Sequence, residues 1–472
     1  MKRQAMNPYL PLYEYVPDGE PRVFGDRLYL YGSHDNAGGT QFCEGDYVVW
    51  SAPLDDLSDW RYEGVSYPRD TDNPDDQGGQ LAAPDCVQGP DGRYYLYYNR
   101  GTSQACGVAV SDRPQGPFTF LANVTFPDGT LPQTKMFDPG LLIDDDGRIY
   151  LFTAFVPTPG SPWINVAGKY SLGFELEPDM HNIKAGPVEV LPGCLAARGT
   201  EFEGHGFYEA SSPRKIGGRY YLVYSSEQSH DLCYAVSDQP LTGYRYGGIL
   251  VSNADIGYQE NRTPKTPYGN THGGLVQLHG QWYIFYHRQT HGIECCRQGC
   301  AEPIRLDETG VFHQAEITSC GLNGGPLQGL GRYNACYACN LTDKTIGKER
   351  LTIRACVRDV QPHIYEEPAA DGDPAKALHY IANMQDGTVA GFKYFALGQA
   401  SRAALTLRAD APGAMEIFLD EGCTRRAAQV PFAASADWQT VEGDFTAPAD
   451  TFPLFFRLRC PGRADWMEFT LR

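Results

Sequence analysis

What the 472-residue chain lacks sets its outer limits. It has no run of 18 apolar residues, so no hydrophobic helix is long enough to span a bilayer. Its first residues, MKRQAMNPYLPLYEYVPDG, carry no apolar stretch of signal-peptide length, which predicts a cytoplasmic protein. Positive charge is scarce: 39 Lys and Arg stand against 58 Asp and Glu, a net charge of -19. That balance argues against nucleic acid and against an anionic membrane surface as partners. The fourteen cysteines are scattered, with Cys295 and Cys296 adjacent, a pattern that suits reduced thiols better than bridges. A single CxxC, Cys336 to Cys339, has no second pair near it to complete a zinc site. No pattern in the sequence specifies an oligomeric state.

Helical periodicity is also missing. From Met1 to about residue 318, turn signals of Pro, Gly, Asp and Asn fall every ten residues or so, between runs that alternate as strands do. Aromatic residues make up 12% of the chain, led by 30 Tyr, and many occupy these alternating runs. Five runs share one plan: GDRLYLYGS (Gly25 to Ser33), DGRYYLYYN (Asp91 to Asn99), DGRIYLFTA (Asp146 to Ala154), FYEASSPRKIGGRYYLVY (Phe207 to Tyr224) and HGQWYIFYH (His279 to His287). Their tyrosines Tyr29, Tyr95, Tyr150, Tyr221 and Tyr283 recur at intervals of about 66, 55, 71 and 62 residues, a loose repeat. The shared AVSD at Ala109 to Asp112 and Ala235 to Asp238 supports true repetition. A unit of about 60 residues with four short antiparallel strands is a propeller blade, and five can close a ring around a central channel.

Upstream of each tyrosine by about 10 to 12 residues lies one polar position: Asp18, Asp85, Asp138, Glu209 and His272. In a ring these five would converge at the channel mouth. A β-sandwich built from the same strands is the competing fold, but it would not predict five equivalent polar positions. Around 318–332 the text turns glycine-rich (SCGLNGGPLQGLGRY), and the remainder alternates again in LTIRACV, GFKYFAL, AALTLRA, AMEIFL, FPLFFRLR and WMEFTLR. The expectation is therefore an all-β chain, a five-bladed β-propeller over 1–318 followed by a β-sandwich, jelly-roll-like, over 319–472.

Three carboxylates and a histidine in one channel suit acid and base catalysis on a neutral polyhydroxylated substrate. Hydrolysis of a glycosidic bond needs one protonated carboxyl group to donate to the leaving oxygen and one ionised group to activate water or attack carbon. A third negative charge beside the acid raises its pKa and keeps it protonated. PDG and DPG are also ordinary turn sequences, so turn chemistry competes for Asp18 and Asp138 taken singly. YEASSP around Glu209 is not turn-like.

These motifs resemble glycoside hydrolase family 43, the five-bladed propeller enzymes that cut arabinofuranosyl and xylosyl linkages with inversion. The resemblance runs from Asn7 to about Glu316. NPYLPLYEYVPDGEPRVF is similar to the opening motif and implies Asp18 as general base; MFDPGLLIDDDGRIYLF implies Asp138 as the carboxylate that tunes and orients the acid; FYEASSPRKIGGRYYLVYSS implies Glu209 as general acid. THGGLVQLHGQWYIFYHR resembles the fifth-blade motif, which implies His272 on the channel axis as a candidate ligand of calcium or another cation, and Arg288 reaching the sugar. The family more commonly has its base in a DP or DPS context, so Glu20 in PDGEP is a rival. The segment GSHDNAGGTQFCEGDYVVWS, with His34, Asp35 and Phe42, looks like a loop walling the glycone pocket, and Asp85 is assigned to substrate binding. Phe137 and Trp163 read either as stacking surfaces or as core. No organic cofactor is implied.

The C-terminal part resembles carbohydrate-binding module family 6, through IANMQDGTVAGFKYF (Ile381 to Phe395), GAMEIFLD, FPLFFRLR and WMEFTL. Sugar binding and buttressing of the propeller are both open to it. The resulting expectation is an exo-acting, inverting α-L-arabinofuranosidase or β-D-xylosidase acting on plant-derived oligosaccharides. An exo-galactosidase or galactofuranosidase on the same frame and a non-catalytic glycan-binding propeller are the alternatives.

Overall fold

The computed structural model describes residues 3–70, 79–101, 103–161, 168–343, 351, 358 and 360–472. These residues are all-β, with no helix beyond single turns of 3-10 type. Up to residue 313 they form five antiparallel sheets of four strands, each sheet in chain order: β1–β4 within 20–67, β5–β8 within 81–123, β9–β12 within 140–192, β13–β16 within 207–252 and β17–β20 within 275–313.

Alternation along the second strand of each sheet explains how the sheets meet. Tyr221 and Val223 pack into a core shared with Leu275, Ile284 and Tyr286 of the fifth sheet, whereas Leu222 and Tyr224 pack into one shared with Tyr150 and Phe152 of the third. Both faces are buried, so the repeated aromatic strands have no solvent side. Equivalent cores lie between the first and second sheets and between the second and third. Another, holding Leu28, Leu30, Trp50, Val276 and Phe285, joins the fifth sheet back to the first. The five recurring tyrosines are all buried, as core positions should be.

The sheets start at β1 (Glu20–Phe24), β5 (Leu81–Gln88), β9 (Gly140–Ile143), β13 (Phe207–Ile216) and β17 (Leu275–Leu278). Their closeness depends on small residues. A Cβ on Gly140 would lie 2.1 Å from the carbonyl oxygen of Ser211, so β9 can lie against β13 only with glycine there. The hairpin that follows β13 turns on Gly217 and Gly218, both with positive φ (58° and 81°), as the two-residue turns that match strand twist require. The N-terminal segment is tied to the fifth sheet: Asn7 Nδ2 donates to Ala301 O and to Glu302 Oε1, each at 2.9 Å.

Beyond residue 318 the strands form two further six-stranded sheets within residues 327–471. One runs Leu327–Gln328, Val389–Ala396, Thr451–Arg459, Gly413–Phe418 and Arg426–Phe432, with Asn340–Thr342 also paired to Val389–Ala396. The other runs His363–Glu367, Leu378–Met384, Ala464–Leu471, Arg402–Ala409 and Ser435–Asp444, with Gly331–Asn334 also paired to Ala464–Leu471. One apolar core containing Phe392, Leu405, Phe456, Trp466 and Phe469 draws on both.

Candidate active site

Strand register, not sequence distance, decides which polar residues share a level. The tyrosines pair across their hairpins with Arg22, Val87, Leu142, Arg214 and Val276 in chain order. Four residues before those partners stand Asp18, Ala83, Asp138, Ala210 and His272. Asp18, Asp138 and Ala210 all have left-handed backbone, with φ of 58°, 48° and 71°. Non-glycine residues seldom adopt that conformation outside constrained sites. Glu209 sits beside Ala210, across a register shift in β13. One level of the ring thus carries Asp18, Asp138, Glu209 and His272.

Asp85 does not belong to that level, and its assignment to the sugar is corrected. It lies two residues deeper, level with Glu20, and is buried. Arg22 donates to it twice, Nε to Oδ1 at 2.9 Å and Nη2 to Oδ2 at 2.6 Å, and the Leu141 N–H donates to Oδ2 at 2.7 Å. Glu20, the rival base, is equally engaged: its Oε1 accepts from Arg214 Nη2 and lies 3.5 Å from Arg22 Nε. Two arginines and two acids of net zero charge fill this depth, leaving neither carboxylate free for chemistry.

Asp18 has a different setting. Its Oδ1 accepts from Arg297 Nη1 at 2.9 Å, and its backbone N–H donates to His287 Nδ1 at 3.2 Å. His287 Nε2 donates to the Asn270 carbonyl at 2.9 Å, and burial keeps the imidazole neutral. Burial would push the Asp18 carboxyl up, but the Arg297 guanidinium outweighs it and holds the group well below the usual carboxylate range. Arg297 is itself held in a fork by Asp35, Nε to Oδ2 at 2.8 Å and Nη2 to Oδ1 at 3.0 Å, with the Phe42 ring 4.7 Å from its guanidinium carbon. The loop bearing His34, Asp35 and Phe42 thereby steers a cation onto Asp18. His34 anchors that loop, with Nε2 2.8 Å from Glu14 and Nδ1 3.0 Å from the Asp46 carbonyl.

Across the level, Asp138 Oδ2 accepts the Ala210 N–H at 3.1 Å, the peptide that follows Glu209, and lies 3.4 Å from His272 Nδ1. Burial lowers the His272 pKa, but Asp138, with Asp18 and Glu209 adding to it, carries it up to about 9. Phe137, half-buried, packs 5.3 Å from Phe155, which is 5.5 Å from Tyr208, and Lys135 Nζ rides 4.7 Å from the Phe137 ring centre. This aromatic row adjoins Asp138 and Glu209 in sequence, Phe137 before the one and Tyr208 before the other. Trp163 lies outside the described residues.

Arg288 is the second correction. It alternates with His287 on its strand and so points the opposite way, where it is buried with Nη1 donating to the Cys339 carbonyl at 3.1 Å and Nε contacting Cys300 Sγ at 3.3 Å. It ties residues 338 and 339 to the fifth sheet instead of reaching the sugar. Around His272, Asp18 and Asp138 are engaged by Arg297, Ala210 and His272, and the level below holds Arg22 and Arg214. The hydroxyls of Ser225 and Thr271, next to Glu209 and His272 in register or sequence, are buried with no hydrogen-bond partner among the described residues and suit ordered water.

Sequence reasoning missed Arg297, His287, Lys135, Phe155 and Tyr208. For His287 a signal existed, because alternation in YIFYHRQ separates it from Arg288. Nothing local marks Arg297, whose partner Asp35 is 262 residues away.

The family model for glycosyl hydrolases family 43 matches residues 12–312. The chain belongs to this family. It is 41% identical over 484 aligned positions to a xylosidase/arabinosidase of Thermoclostridium stercorarium, covering 100% of this chain and 99% of that protein. A family-43 β-xylosidase/α-arabinofuranosidase from a compost microbial metagenome, solved with xylotriose, is similar at 25% identity and a TM-score of 0.54, over 66% of this chain and 98% of that one. A family-43 arabinoxylan arabinofuranohydrolase of Bacillus subtilis, solved with cellotetraose, matches 98% of this chain and 97% of its own at a TM-score of 0.52; at 18% identity it speaks to the fold alone. The chain is a glycoside hydrolase.

Proposed function

We propose that this family-43 hydrolase is an exo-acting, inverting enzyme that releases arabinofuranosyl or xylosyl units from plant-derived oligosaccharides. The names of its relatives support the sugars, and the paired setting of the carboxylates supports the chemistry. In this reading Asp18 is the general base, kept ionised by Arg297 so that it can take a proton from water. Glu209 is the general acid that protonates the leaving oxygen. Asp138 fixes the Ala210 peptide beside Glu209 and adds negative charge that favours the protonated acid. That hydrogen bond is the observation that carries the proposal, because it couples the third carboxylate to the backbone aiming the acid. Inversion requires room for a water between acid and base, about 6.5–9.5 Å between their carboxyl groups.

The same reading takes the five four-stranded sheets as a five-bladed propeller over 1–318 and the two sheets of 319–472 as a β-sandwich similar to carbohydrate-binding module family 6. The cyclic series of cores between consecutive sheets supports the first. For the second part we favour a buttress over a sugar-binding module: Lys393 Nζ lies 2.8 Å from Glu316 and 3.3 Å from Asp255, and Glu366 accepts from Tyr15 at 2.7 Å.

A panel of aryl glycosides tests the substrate, with NMR of the first-formed sugar testing the stereochemistry. The expected result is turnover of α-L-arabinofuranosides or β-D-xylosides with the anomeric configuration inverted. Retention, or turnover confined to galactosides, would overturn the proposal.

A further inference from the structure

Away from the acid and base, just upstream of the strand carrying Glu209, three side chains of mixed chemistry converge: His205, Asp231 and Cys233. Their facing atoms form a nearly equilateral triangle. His205 Nδ1 is 3.6 Å from Asp231 Oδ2 and 3.8 Å from Cys233 Sγ, and Cys233 Sγ is 3.7 Å from Asp231 Oδ2. An N–H···O⁻ bond between a histidine and a carboxylate closes to about 2.7–2.9 Å, so 3.6 Å is too long for a pair that has settled on itself. The separations instead approach the edges of a tetrahedron around zinc, about 3.3–3.6 Å for Zn–S near 2.3 Å and Zn–N and Zn–O near 2.0 Å.

The surroundings hold the three groups in that arrangement. Ser226 Oγ donates to Asp231 Oδ1 at 2.5 Å, which occupies the other carboxylate oxygen and turns Oδ2 toward the triangle. Tyr246 stacks on the His205 ring at 4.9 Å and 13°, fixing its plane, and Tyr224 donates to the His205 carbonyl at 2.8 Å. Asp231 and Cys233 are buried, whereas the His205 side chain is 30% exposed, so a fourth position can face water.

We propose that His205, Asp231 and Cys233 form a zinc site distinct from the catalytic level. A thiolate and an imidazole beside one carboxylate suit zinc, whereas calcium and magnesium take oxygen ligands alone. Binding converts Cys233 from thiol to thiolate: the S–H bond breaks, the S–Zn bond forms and the proton leaves to solvent. His205 uses the Nδ1 lone pair and keeps its Nε2 proton, and the two anionic ligands neutralise the metal. The site pins the chain entering β13, four residues before Glu209, to β15 (Asp231–Ser237), and its role is to stiffen that entry.

The test is titration of the chelator-stripped full chain with Co²⁺, followed by displacement with Zn²⁺. The expected result is one equivalent of tetrahedral cobalt with a thiolate-to-metal charge-transfer band, lost in Cys233→Ser. Zinc is expected to raise Tm in the wild type. Should Cys233→Ser not fold, His205→Gln, altered at the half-exposed corner, decides: metal affinity falls by more than about 100-fold and zinc no longer shifts Tm. Absence of the band at one equivalent, its persistence in Cys233→Ser, or undiminished affinity in His205→Gln overturns the site.

Discussion

Arg297 governs the state of Asp18. In the proposed mechanism Asp18 works ionised, so kcat/KM is full above its pKa and falls as pH drops through it. With Arg297 in place that fall lies below the ordinary aspartate value of about 3.9. In Arg297→Gln the burial persists while the cation is gone, so the acid limb of kcat/KM is expected to move up by at least one pH unit, alongside a loss of kcat. A pH–rate profile checks this, and an unmoved acid limb would contradict the link. The candidate residues themselves were legible because a carboxylate in a repeated motif is conspicuous. Their partners were not: Arg297 meets Asp18 across 279 residues of chain, and no local pattern encodes that meeting.

Between elements, the contact of β9 with β13 aligns Asp138 with the peptide after Glu209. It depends on Gly140. In Gly140→Ala the new Cβ would stand 2.1 Å from Ser211 O and 2.7 Å from Pro213 Cδ, so the strands must part. A stability loss of about 1–3 kcal/mol is expected from the overpacking, with kcat falling as the Asp138–Ala210 hydrogen bond opens. Urea unfolding and steady-state kinetics on one variant measure both; wild-type values would show that the close approach is not needed. The five hairpins were readable from alternation and turn residues, but their registers were not. Two residues separate the paired ends of β1 and the strand after it, Phe24 and Arg27, whereas five separate Gln88 from Tyr94. Counting back from each tyrosine therefore grouped Asp85 with Asp18, when pairing sets it level with Glu20.

For the molecule as a whole, residues after 318 take part in holding the first five sheets. Lys393 is buried between Asp255 and Glu316, groups more than seventy residues before it. Lys393→Met leaves the buried Asp255 carboxylate without its cation and is expected to cost about 3–5 kcal/mol, read as a lower urea midpoint. A change below 0.5 kcal/mol, roughly that of an ordinary surface substitution, would mean the two parts do not support each other. The glycine-rich passage near 318 lies where the strands pass to the last two sheets, while the stitching across it was hidden: Arg288 reads as reaching the sugar, and nothing local marks Lys393 as a partner of Asp255 and Glu316. The central claim is that the ring brings a proton donor, Glu209, opposite an ionised base, Asp18. Its most direct test is the kcat/KM of Glu209→Gln on an alkyl glycoside against an activated aryl glycoside. The account predicts a loss of about 10²–10⁴ on the alkyl substrate, whose leaving oxygen needs the proton, and a far smaller loss on the aryl one. Equal losses on both would contradict it.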